Sequence, residues 1–127
     1  MSSQGTATSA VNVPQLISDI KSAVTDVLGK DLTTYKTYSE DMVRGMAEQA
    51  KSIGLSYAAG LITADRRDSF LKDLANTAEV FAKTLVGLAM VTVEKVWNAV
   101  VGVLWKAINT AINAALPLPV FPGQQAV

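Results

Sequence analysis

The sequence predicts an all-α protein: an antiparallel helical hairpin with a short N-terminal helix, a long hydrophobic C-terminal helix and an extended Pro-rich tail. Three observations carry that expectation. Apolar residues recur at steps of three and four through most of the chain. Gly29, Gly60 and Pro117 punctuate the periodic segments. No apolar–polar alternation bounded by turn residues occurs; "VGVLW" could be a buried strand locally, but its neighbours hold no turn residues.

Residues 1–12 read as a flexible polar leader, without the basic start and apolar stretch of a signal peptide. A single helical domain is expected over 13–116. Its first helix, about 14–28, carries Leu16, Ile17, Ile20, Ala23, Val24, Val27 and Leu28 on one face, with Pro14 in the first turn and Gly29 at the stop. The second is expected over 31–59. Asp31 is its cap, and Leu32, Tyr35, Met42, Met46, Ala50, Ile53 and Tyr57 form its stripe, with Ser39 and Gln49 as gaps. Gly60 in a left-handed conformation and Thr63 as the next N-cap make a tight joint that sets the flanking helices antiparallel.

The third helix is expected to run unbroken over 64–115. Phe70, Leu71, Leu74, Ala78, Phe81, Leu85 and Leu88 make its first stripe, and beyond Thr84 the apolar face widens. What stays polar there is one narrow line: Lys95, Asn98, Gly102, Lys106, Asn109 and Asn113. Residues 117–127 form an extended apolar arm, because the prolines of "LPLPVFP" forbid helix.

Charge is distributed unevenly. The formal net charge is zero, so no global attraction to nucleic acid or anionic lipid arises. Residues 1–83 hold nearly all the charges, and 84–127 hold only Glu94, Lys95 and Lys106. A straight third helix then has a coverage problem. At ~1.5 Å per residue the second helix spans ~43 Å and reaches back only to roughly residue 92. Val96, Trp97, Val100, Val101, Leu104, Trp105 and Ile108 would stay bare, more apolar surface than a soluble monomer tolerates. A break near Gly87 would produce a fourth helix and a closed bundle. The stretch "TLVGLAMVTVEK" offers no Pro, Asn or Asp for that turn, so burial against another chain is the expectation. The interface comprises those seven residues with Leu118, Val120 and Phe121.

A lone membrane span is disfavoured. Glu94 and Lys95 sit at the centre of the 84–105 window, at ~2.5–3.5 kcal/mol each against ~0.3–0.6 kcal/mol returned per Leu or Val. An oligomer could instead turn the Lys95-to-Asn113 line toward a wet lumen. More simply, that line is the solvent edge of a mostly buried helix.

Chemistry-bearing constellations are sparse. The chain has no His and no Cys, which removes the commonest general base and the usual nitrogen and thiolate metal ligands. Phosphate-binding loop motifs are absent, and "GLSYAAG" lacks nucleophile-elbow spacing. Glu40 and Asp41 are adjacent and point about 100° apart on a helix. The "DRRD" cluster, Asp65–Asp68, balances its own charges. Tyr35, Tyr38 and Tyr57 lack the basic groove that base stacking needs.

No catalytic, cofactor or metal site is expected, and neither nucleic acid nor a small-molecule substrate. The expected role is a non-enzymatic structural or assembly protein that oligomerises or docks on a larger complex. Its make-up is similar in general character to small components of phage particles and secretion assemblies. A membrane-active oligomer of holin or ejection type is the alternative, and a small helical adaptor or chaperone the third. A cytoplasmic assembly, a virion or a membrane association would each fit.

Overall fold

A computed structural model describes residues 11–121. It contains four α-helices, and no strand occurs among the described residues: α1 (Val13–Leu28), α2 (Glu40–Ala58), α3 (Ala64–Thr84) and α4 (Met90–Ile112). The expected leader falls mostly on residues 1–10, outside the described residues. Val11 and Asn12 are ordered parts of the fold: Val11 is buried, and the Asn12 side chain accepts the Gln15 N–H at 3.0 Å as the N-cap of α1. Gly29 closes α1 with φ +77°.

α2 begins nine residues later than the sequence suggested. Asp31 does cap, but it caps a single 3₁₀ turn, Leu32–Thr34, through the Thr33 N–H. Threonines and tyrosines between residues 33 and 38 are poor helix formers. Helix resumes at Ser39, whose hydroxyl accepts the Met42 N–H at 3.2 Å, with Glu40 and Asp41 in the positive first turn. Fully buried Leu32 pins the connection, its N–H donating to Thr25 Oγ1 at 3.2 Å. At the other end of α2, Gly60 (φ +74°) and Thr63, which accepts the Arg66 N–H, form the tight joint.

The larger correction concerns residues 64–115, which form two helices rather than one. α3 ends at Thr84, whose hydroxyl donates to the Phe81 carbonyl at 2.7 Å. Gly87 then takes φ +91°, a conformation that L side chains rarely adopt. Ala89 starts α4 without any side-chain cap. The missing polar partner comes from the α1–α2 connection, where Thr37 Oγ1 accepts the Val86 N–H at 3.2 Å. A turn without Pro, Asn or Asp is therefore completed by a residue 49 positions away.

With that break the helices have similar lengths, and the coverage problem disappears. α4 packs against all three others. α2 and α4 approach closely near the ends of both helices: Ala47, Ala50 and Gly54 are buried, and a Cβ placed on Gly54 would lie 3.0 Å from the Ala111 Cβ. Met46, Phe81, Trp97, Leu104 and Ile108 fill the centre, all fully buried.

Candidate interaction site on the α3–α4 groove

Seven of the ten side chains expected to face another chain lie in this chain's own core. Val96, Trp97, Val100, Val101, Leu104, Trp105 and Ile108 are each at most 3% exposed. Their burial is worth ~1.5–3 kcal/mol apiece, which together matches or exceeds the ~5–15 kcal/mol stability of a typical domain. Presenting them to lipid or to a partner therefore means dismantling the bundle. Among the described residues no helix is long and apolar enough to cross a membrane.

The polar line runs along the outer face of α4. Lys95, Asn98, Lys106 and Asn113 are exposed, while Gly102 and Asn109 are half-buried. Asn109 has a role that its place in the line did not suggest. Its Oδ1 accepts the Leu116 N–H at 3.0 Å, and its backbone carbonyl accepts the Ala114 N–H at 3.0 Å. Beside it Asn113 adopts the left-handed conformation, φ +55°, which Asn tolerates better than most residues. Together they reverse the chain at the end of α4.

The remaining three expected interface residues lie on the arm that follows. Phe121 is 3% exposed and meets the Trp97 indole edge-on, ring centroids 5.3 Å apart. Trp97 is itself fixed from α3, its Nε1–H donating to the Ala75 carbonyl at 3.0 Å. Leu118 and Val120 point outward, 61% and 54% exposed. Phe121 meets Trp97, which lies well before Asn113 on α4, so the chain beyond Asn113 doubles back along the helix it leaves. Alongside it a groove of about 450 Å³ remains open, lined by Leu71, Lys72, Trp105, Pro117 and Val120 among others. The tail beyond Phe121 lies outside the described residues.

Most of the sequence's other candidates are engaged within the chain. Arg67 donates to Asp68 and lies over the Tyr57 ring, 4.6 Å from its centroid. Arg66 lies over Phe70 and Lys30 over Tyr35. Tyr38 packs edge-on against Phe81 and donates to Glu40 Oε1 at 2.5 Å. Burial first, then that carboxylate, pushes the Tyr38 phenol well above its usual range. Glu40 also accepts from Lys21 Nζ at 3.2 Å, and the Tyr38 and Lys21 hydrogen bonds hold its carboxyl below the ordinary carboxylate range. The cluster ties α1 to the start of α2. No group of three His, Cys, Asp or Glu residues among the described residues could hold a metal ion.

Comparison with protein-family models, curated proteins and solved structures returns no match.

Proposed function

We propose that this protein is a non-catalytic helical assembly module that docks through its C-terminal arm and the adjoining α3–α4 groove, rather than through α4 itself. The observation that carries the reading is the arm's division of labour. Phe121 is sunk onto Trp97 while Leu118 and Val120, two residues of the same short segment, stand more than half exposed. Exposed Val and Leu bracketed by prolines cost little entropy to order, because the prolines already restrict the arm. They lie beside a largely apolar groove, so arm and groove together offer one continuous surface. A helical structural component of a larger particle, built from copies of this chain or from this chain and a larger protein, fits that surface.

The test is sedimentation velocity of the full chain from micromolar to millimolar concentration, beside Leu118→Ser/Val120→Ser, which spares Phe121. The full chain is expected to associate as concentration rises, and the double variant to stay monomeric. A full chain that remains a 13.4 kDa monomer throughout, or a variant that associates equally well, refutes the proposal.

A further inference from the structure

We propose that the groove between α3, α4 and the arm is a binding site for a small apolar anion: a compact, largely apolar body carrying one carboxylate or equivalent acidic group. The site goes beyond the assembly role and does not rest on it. A ligand seated there leaves Leu118, which borders Gly102 and Asn109 instead, open to a partner.

Size and rigidity suit a small ligand. The groove holds about 450 Å³, within the ~300–1,000 Å³ of typical ligand pockets. The arm forms one wall, and it is a firm one: Pro117 and Pro119 restrict its backbone, and Phe121 pins its end to Trp97. Trp97 and Trp105, at most 3% exposed, form the floor, and the Trp97 N–H is already taken by the Ala75 carbonyl. α4 and the arm therefore offer aromatic and aliphatic surface to the body of a ligand.

The opposite wall is different. Every charged or amide side chain lining the groove stands on α3: Arg67, Asp68, Lys72 and Asn76. Steps of four put Asp68, Lys72 and Asn76 in one row, so the polar groups make a single edge. That edge favours an anion. Asp68 is compensated in place by Arg67, with Nε at 2.9 Å and Nη2 at 2.8 Å. No carboxylate among the described residues pairs with Lys72, so the edge keeps one uncompensated positive charge. Arg67 is held in position, its side chain 14% exposed and its guanidinium over the Tyr57 ring. A guanidinium has five N–H donors, more than Asp68 engages. The Asn76 amide adds another donor. A carboxylate at this edge keeps part of its hydration and gains charge-assisted hydrogen bonds, while its apolar body leaves water against the indoles and the arm. A cation of the same shape would face Lys72.

The test uses three probes with one body and different charge: 3-phenylpropanoate, 3-phenylpropanol and 3-phenylpropylammonium. Each is titrated into the full chain and followed by tryptophan emission and amide chemical shifts. The carboxylate is expected to saturate with a dissociation constant of roughly 0.1–1 mM, in keeping with about ten heavy atoms. It should bind about tenfold tighter than the alcohol, and the ammonium more weakly than either. Shifts should concentrate on residues 67–76 and 97–105. Lys72→Gln changes an exposed position and so spares the fold. It should cut the preference for carboxylate over alcohol to about threefold or less and leave alcohol binding unchanged. Failure of the carboxylate to saturate, equal binding of all three probes, shifts centred outside the groove, or a preference that survives Lys72→Gln would each overturn the proposal.

Discussion

Replacing Gly87 by Ala tests the central feature of the fold, because its sign differs between two architectures. In the bundle Gly87 sits at φ +91° in the α3–α4 turn, with no neighbouring atom within 4 Å of an added Cβ. The cost of Ala there comes from the backbone alone, at about 1–2 kcal/mol. In one continuous helix from Ala64 to Ala115 the same substitution would stabilise the chain by about 1 kcal/mol. Gly102→Ala is the internal standard. Gly102 lies inside α4, and a Cβ there also meets nothing within 4 Å, so Ala should stabilise by about 0.5–1 kcal/mol. The two variants should thus straddle the parent, with about 1.5–3 kcal/mol between them. Urea unfolding followed by circular dichroism reads this as midpoints roughly 1–2 M apart, at a slope of about 1–3 kcal/mol per M that is common to all three chains. Gly87→Ala more stable than the parent would refute the four-helix bundle and restore the long helix.

Trp97→Phe removes the indole N–H from the Ala75 carbonyl and leaves a void under Phe121, costing about 2–3 kcal/mol in the same assay; no change in midpoint would show that α4 is not docked on α3 as described. Gly54→Ala crowds Ala111, and Ala111→Gly should relieve it, with a coupling of about 1 kcal/mol or more in a double-mutant cycle; strict additivity would mean α2 and α4 do not approach here. Glu40 has a depressed folded pKa, so its contribution is present above the ordinary carboxylate range and fades as pH falls through the folded value. Glu40→Gln should therefore flatten the loss of stability on acidification below about pH 5, and a variant with the parent's acid limb would contradict the Tyr38–Lys21 linkage.

Much of the helical content was legible because it rests on local signals. Gly29, Gly60 and Thr63 occupy the terminal conformations their chemistry favours. The start of α2 is legible in principle, since Ser39 followed by Glu40 and Asp41 is an N-terminal signature, but Ser39 also falls on the apolar stripe that runs from Leu32 to Tyr57 and there resembles a gap in it. The α3–α4 turn was not legible locally. Its glycine looks like any helical glycine in sequence, and its polar partner, Thr37, belongs to another connection. The same missing turn displaced the candidate site. Val96, Trp97 and their neighbours need cover, and within this chain α1, α2 and α3 supply it. Periodicity also could not separate Asn109, which anchors the arm, from the solvent-facing residues on its line.

Because α4 carries the largest share of the packing between helices, order of synthesis matters. The ribosome delivers α1, α2 and α3 before it, so the nascent chain carries Leu74, Phe81 and Met46 without the core side chains that α4 supplies. A chain interrupted before about residue 108 is expected to lose the whole fold rather than one layer of it, since Trp97, Leu104 and Ile108 supply its centre. Premature termination and a clip within α4 would then leave equally protease-sensitive products, although one keeps most of the molecule and the other only its first three helices.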